Sequence, residues 1–377
     1  MPPVIWPPDP PDRFTGCRSD PVNRPSPISR PIQTMNPIRS AAVLLAATSV
    51  ALGSNPSPDS PQLLGPVFNL WLENDLVVRT DQHYTHGSRA SWLGSEHVLD
   101  DSNLRWDGRI ARWLPDFGMK PQTWRFSLAI TQNIYTPRDT DTPTVIPEER
   151  PYAGWLYLSG TLLKRGVTSG GTPVIDSWGA TLGMIGPAAL GEQAQNGLHR
   201  FRSLDLAQGW DNQLHNEPDL GFRYSRGLRF HAPIAGSVAG QFIPFAGVQA
   251  GTIQTFAAVG GQWRVGRNLP DDFGWRTIDD VLPPTGGRPL DGSGRRGFYA
   301  FLGIEGRAYA HNSLVEGNLY QDSHSVALQP LLGEFKLGLV YSGKRWEFAY
   351  THMVRSKEFK TQEDIDSFGS LSVAYKW

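Results

Sequence analysis

Apolar and polar residues alternate in short runs from about residue 66 to the C-terminus, and nowhere does the chain hold the ~18 consecutive apolar residues of a membrane-spanning helix. The runs are Val67–Glu73, Gly87–Leu93, Trp124–Ile130, Trp155–Leu163, Trp178–Ile185, Leu220–Phe230, Val238–Ala250, Ile253–Val265, Phe298–Tyr309, Glu334–Tyr341, Trp346–Met353 and Phe368–Trp377. About twelve strands, an even number, fit a closed antiparallel barrel of the outer-membrane kind, in which only every second residue must face lipid. The last run is the most specific: Leu371, Val373, Tyr375 and Trp377 alternate with Ser372, Ala374 and Lys376, and the chain stops on an aromatic. Such a terminal strand is what the outer-membrane assembly machinery reads. A soluble β-sandwich is the competing architecture. The expected fold is all-β, a twelve-stranded antiparallel transmembrane barrel spanning 66–377.

Composition supports the barrel. Gly (40), Phe (17), Trp (13) and Tyr (11) are abundant in a chain only 39% hydrophobic. With 35 basic and 36 acidic side chains there is no basic excess, so nucleic acid is not an expected partner. Residues 1–34 are rich in Pro and Arg without apolar period, which reads as a mis-annotated extension. Met35 opens a basic stretch followed by the apolar run Ala41–Gly53, a secretory signal over 35–53. Residues 54–65 are a flexible lead-in. The single cysteine, Cys17, precedes the signal, so no disulfide framework is available.

In an outer-membrane barrel both chain ends face the periplasm, and the odd-numbered connections face outward. Three polar fragments then share the external rim. Asn74-Asp75 ends the first strand, and Thr85 lies across the first hairpin. Arg138 and Arg150 lie in the third connection, and Gln195 and His199 in the fifth. Residues Ala188–Phe201 have a helical pattern, and Gln195 and His199 at i, i+4 share a face, so an external helix would aim both at the rim. Alone, Asn-Asp reads as the start of a turn. Beside a threonine oxygen the pair makes a hard-cation corner, for calcium or for the geometrically stricter magnesium. Histidine has the ordinary pKa nearest neutrality, which makes His199 the candidate general base. Asp205 can orient that base or complete a metal shell, and Arg138 and Arg150 can hold headgroup phosphates. No Gly-x-Ser-x-Gly or His-Glu-x-x-His occurs, which leaves water activated by His199 with a cation polarising a carbonyl. The second connection, with a short amphipathic helix over Leu104–Leu114, and the eighth, a Gly/Pro-rich irregular turn near 266–295, would be periplasmic.

Glu73-Asn74-Asp75, Tyr84-Thr85-His86-Gly87, Gln132-Asn133-Ile134-Tyr135-Thr136-Pro137, Arg150-Pro151-Tyr152-Ala153-Gly154-Trp155, Gly186-Pro187, Gln195-Asn196 with His199, and Gly209-Trp210-Asp211-Asn212-Gln213-Leu214 follow in this order. Over residues 66–377 the chain resembles the lipid A 3-O-deacylase family of outer-membrane barrels. The resemblance implies a calcium-dependent esterase, sited between barrel wall and external helix, that removes the 3-linked acyloxyacyl chain of lipid A in lipopolysaccharide. It implies His199 as base, Gln195 as its helix partner, and Asn74, Asp75 and Thr85 as site residues. Asn74, Asp75, Thr85 and Asp205 would hold calcium, with Asp205 standing where the family has glutamate. The family's basic residues in the third connection have no lysine here, only Arg138 and Arg150. The implied location is the outer membrane. An outer-membrane phospholipase, or a non-catalytic barrel or pore, is the alternative.

Overall fold

The computed structural model describes residues 63–74, 83–99, 105–274, 277–287 and 296–377. The expectations for 1–34, 35–53 and most of 54–65 lie outside these residues. The strands are β1 (Val67–Asn74), β2 (His83–Leu93), β3 (His97–Val98), β4 (Lys120–Thr136), β5 (Ala153–Val167), β6 (Pro173–Ile185) and β7 (Glu217–Leu228). They continue with β8 (Phe230–Ala235), β9 (Val238–Gly251), β10 (Gln254–Arg267), β11 (Gly297–Asn312), β12 (Leu331–Ser342), β13 (Trp346–Arg355) and β14 (Asp366–Lys376). Among the described residues three α-helices accompany them: α1 (Trp106–Trp113), α2 (Gly191–Arg202) and α3 (Ser313–Glu316). β3 continues β2 along β4, and β8 continues β7 along β9, so the fourteen strands form twelve staves. All pairs are antiparallel, and β14 closes the barrel on β1 from Val67↔Lys376 to Asn74↔Gly369.

Alternation decides which face is which. On β1, Phe68, Leu70 and Leu72 point outward and exposed, while Asn69, Trp71 and Glu73 are buried in the lumen. The lumen-facing charges pair with one another. Lys336 Nζ lies 2.7 Å from Asp280 and 3.0 Å from Glu334, Arg355 lies 2.7 Å from Glu334, and Arg307 lies 2.6 Å from Glu305. Pairing is what makes such burial tolerable, since an unpartnered buried charge is severely penalised.

The connection between β10 and β11 departs from the sequence expectation. It stands at the mouth of the chain ends, as parity requires, but it is not merely an irregular periplasmic turn. It folds back into the lumen, where Phe273, Val281 and Leu282 join Val67, Leu93, Leu163, Ile175, Ile243 and Phe245 of the wall in one apolar cluster. Its backbone is held by wall side chains. Arg125 donates to Thr285 O (2.7 Å), Arg89 to Ile278 O (3.0 Å), Arg223 to Asp280 O (3.0 Å) and Arg307 to Asp279 O (2.8 Å). Ile278 N–H donates in turn to Glu73 Oε1 at 2.7 Å. Apolar residues interleaved with aspartates gain burial and cationic partners only inside the barrel, which is why this segment does not remain in solvent.

The lumen is therefore packed. In planar bilayers the protein should give no conductance steps. Replacing residues 269–287 by a short Gly-Ser turn should produce them, provided heat-modifiable gel migration shows the barrel still folded. Steps from the intact protein would contradict the packing described.

Candidate active site

One row of outward-facing residues crosses four staves near the mouth opposite the chain ends. Asn74 pairs with His86, His86 with Ile134, and Ile134 with Gly154. Paired residues share a face, so this row stands directly above the outward Leu72. Between β2 and β4 the register slips from Tyr84↔Tyr135 to His86↔Ile134, which leaves Thr85 as the extra residue of a bulge. The slip turns Thr85 towards Asn74. Asn74 Nδ2 donates to Thr85 O at 2.9 Å, and Thr85 Oγ1 lies 2.7 Å from Thr136 Oγ1.

Helix α2 covers this row. Its N-terminus arrives through a 3-10 turn (Pro187–Ala189) and Leu190 in the left-handed region, φ 59°. The helix then meets the wall backbone to backbone: a Cβ on Gly154 would lie 2.9 Å from Gly191 N. On its other side, a Cβ on Gly191 would lie 2.7 Å from the Trp210 ring. Gln132 Nε2 donates to Ala189 O at 2.7 Å and ties the turn to β4. Ile134, beneath the helix, is fully buried. The buried stripe of α2 is Gly191, Gln195, Asn196 and His199, the i, i+4 pattern of one face. Asn196 pairs with both backbone groups of Ala207 and so fixes the returning chain.

The two polar groups on this stripe are oriented by their partners. Trp210 Nε1, which can only donate, gives its hydrogen to Gln195 Oε1 at 2.9 Å. That sets the amide: Gln195 Nε2 is the opposite end, buried and without a partner among the described residues. His199 Nδ1 lies 2.5 Å from Asp205 O. A carbonyl only accepts, so Nδ1 carries a proton, and in the neutral ring the lone pair is then on Nε2. Gln195 and His199 line, with Asn74, Thr85, His86, Ile134, Ala194 and Leu198, one narrow cleft between helix and wall.

The structure thus brings together Asn74, Thr85, Gln195 and His199, the residues expected to meet. Asp75 lies outside the described residues. Asp205 contributes its backbone carbonyl, not the carboxylate expected to orient the base, and its side chain is exposed. Arg150 does not reach the cleft. It is fully buried, 2.7 Å from Glu358, 3.1 Å from Leu314 O, and stacked 4.4 Å over the Tyr135 ring. Its two terminal nitrogens are committed, one to Glu358 in the 356–365 connection and one to Leu314 O in α3, and its full burial away from the cleft departs from the expectation that it holds phosphate there. Arg138 is partly exposed and sits 2.7 Å from Glu363. Two cleft-shaping residues went unassigned in the sequence: His86, whose pairing with Asn74 was readable from hairpin register, and Trp210, whose contact with Gln195 carries no spacing signal. For a cation, the donor chemistry around Asn74 and Thr85 is amide, carbonyl and hydroxyl oxygen, the hard set that calcium prefers. Among the described residues no group of three or more His, Cys, Asp or Glu side chains gathers to hold a metal.

A family model described as "Outer membrane protein LpxR" matches residues 40–377. Among solved structures, LpxR from Salmonella typhimurium is similar with a TM-score of 0.64 at 18% identity, covering 82% of this chain and 100% of that one. At that identity the likeness concerns the fold. The β-domain of the Bordetella autotransporter Brka is more remote, with a TM-score of 0.43 at 11% identity over 83% of this chain and 99% of that one. No curated protein matches the chain.

The Arg150–Glu358 pair makes its own prediction. Burial would raise the Glu358 carboxyl, but Arg150 and Arg355 outweigh it and hold it below the ordinary carboxylate range. The pair's contribution is then complete above the ordinary glutamate pKa of about 4.3 and is lost as pH falls through the lowered value. Arg150→Ala should cost about 3 kcal/mol of stability at neutral pH. That is the low end for a broken buried pair, because Arg355 stays 3.6 Å from the same side chain. In thermal unfolding the gap to wild type should narrow below about pH 4. A gap that widens in acid would contradict the pairing.

Proposed function

Because the chain belongs to the LpxR family of outer-membrane lipid A 3-O-deacylases, we propose that it cleaves the 3-linked acyloxyacyl ester of lipid A in the cleft between α2 and the barrel wall, with His199 as general base. The observation that carries this assignment is the pairing of two pre-oriented groups. With Nδ1 bound to the Asp205 carbonyl, the neutral His199 ring has its lone pair on Nε2, and the buried Gln195 amide N–H lacks a partner among the described residues.

The chemistry follows from those orientations. His199 Nε2 takes a proton from water as the water oxygen bonds to the ester carbonyl carbon. The carbonyl π electrons move onto oxygen, and Gln195 Nε2–H donates to that oxyanion. Collapse re-forms the carbonyl, breaks the bond to the sugar 3-oxygen, and returns the proton from His199 to that oxygen. The products are a free carboxylic acid and a sugar hydroxyl. An unsatisfied donor costs stability in the resting protein. It recovers that cost only when negative charge forms opposite it, which favours the transition state over the ground state. A bound calcium would supply positive charge that favours the developing negative charge of ester attack. Asn74, Asp75 and Thr85 would hold it, with the exposed Asp205 carboxylate as a further oxygen donor.

Arg138 is the basic residue assigned to a headgroup phosphate, which would displace Glu363. The alternating terminal strand β14, with Trp377 directly after it, fits recognition by the barrel assembly machinery. A cleft on the outside of the wall suits a membrane ester, since the substrate need not leave the leaflet to reach the base.

Mass spectrometry of lipid A from a host lacking such activity tests the reading. Expression should remove the 3-linked acyloxyacyl group, and a calcium chelator should suppress the change. His199→Ala should abolish it with the barrel folded. Gln195→Ala should lower kcat by about 10²–10³ with little change in KM. Full activity of His199→Ala would overturn the base, and phospholipid products with unaltered lipid A would overturn the substrate.

A further inference from the structure

The outer face of β2 below the cleft differs from the staves beside it. Descending from His86, its outward residues are Ser88, Ala90 and Trp92. The outward row through Ser88 reads Leu371, Leu72, Ser88, Gln132, Leu156, and the row through Ala90 reads Val373, Leu70, Ala90, Ile130, Leu158. Two tall walls, β14–β1 and β4–β5, therefore flank a stave of small side chains. Stave spacing of about 4.8 Å puts the walls roughly 10 Å apart, enough for one alkyl chain between them. The next row, Phe68, Trp92, Leu128, is bulky throughout and ends the trough. The wall side chains Leu70, Leu72 and Ile130 are about half exposed, so among the described residues nothing else covers the trough.

We propose that this trough on β2 is an acyl-chain site: it receives the fatty chain of the ester held in the cleft, and its length selects the chain that is cleaved. The inference rests on the reading of the cleft as an ester-cleaving site and adds a specificity element to it. Three observations commit it to an acyl chain. The trough opens at the cleft, since His86 both lines the cleft and heads the stave. Its walls are continuous with the exposed apolar belt of the barrel, the surface that faces lipid. From His86 to Trp92 it runs six residues, or about 20 Å. One leaflet contributes about 15 Å of the ~30 Å hydrocarbon core, so a chain whose ester sits at the cleft lies in the trough for most of its length. Ordinary lipid would also fill a surface groove, but it would not link groove depth to which ester is hydrolysed.

The test uses lipid A species with acyloxyacyl chains of graded length, presented together in detergent micelles, with products quantified by mass spectrometry. Ala90→Leu fills the trough halfway down on the lipid-facing surface. The control Gly306→Leu adds the same bulk to the outward face of β11, at a position with open space around its Cβ. Heat-modifiable migration establishes that both are folded. Ala90→Leu should shift the ratio of kcat/KM towards short chains by about tenfold or more, the discrimination given by one or a few methylenes. Gly306→Leu should keep the wild-type profile. If Ala90→Leu keeps the wild-type profile at wild-type turnover, or slows all chain lengths equally, the trough proposal is overturned while the cleft reading stands. If the wild type releases no acyl chain, the cleft reading fails and takes the trough with it.

Discussion

Two glycines in backbone contact hold the site together. Gly154 on the wall and Gly191 at the start of α2 approach so closely that a single Cβ on either would collide with the other's backbone. The other anchors of helix α2 are side-chain bonds: Gln132 to Ala189, Asn196 to Ala207, Trp210 to Gln195 and His199 to the Asp205 carbonyl, while Phe201 on its outer side is exposed. The depth of the helix sets how far Gln195 and His199 stand from Asn74 and Thr85. An error of about 1 Å in such positioning is enough to cost on the order of 10²-fold in rate.

The barrel serves the site from both faces of the same strands. Glu73 points inward and Asn74 outward, one residue apart. Inside, the Glu73 carboxylate accepts from Tyr84 (2.9 Å) and from the lumen segment at Ile278 N (2.7 Å). The strand end that carries Asn74 is thus braced from behind by a connection that enters at the opposite mouth. A satisfied polar network in a low-dielectric interior is rigid as well as stable. Rigidity of the wall matters here because the other half of the site rides on a single external helix. On the proposed reading the lumen serves structure and the outer face serves chemistry, an arrangement that suits a lipid substrate.

Sequence carried the architecture because alternation is imposed by lipid on one side and a polar lumen on the other. Alternating runs placed every stave, and the i, i+4 spacing of Gln195 and His199 placed both on the buried stripe of α2. What could not be read depended on contacts between distant segments. Nothing local marks Arg150 as the buried partner of Glu358 rather than a phosphate ligand. Nor does composition show that Asp205 works through its carbonyl. The lumen segment looked like a turn because Gly and Pro dominate its text, while Phe273, Val281 and Leu282, its reasons for entering the barrel, are few and scattered. The sixth run likewise looked continuous, whereas the structure breaks it at Arg229 between β7 and β8.

The central claim is that close seating of α2 on the wall assembles the reacting groups. Gly154→Val tests it most directly, because it adds bulk only at the contact and touches neither His199 nor Gln195. With the barrel shown to be folded, kcat for release of the acyloxyacyl group should collapse towards the level of His199→Ala, and Gly154→Ala should fall between that level and wild type. Wild-type kcat in Gly154→Val would contradict the account.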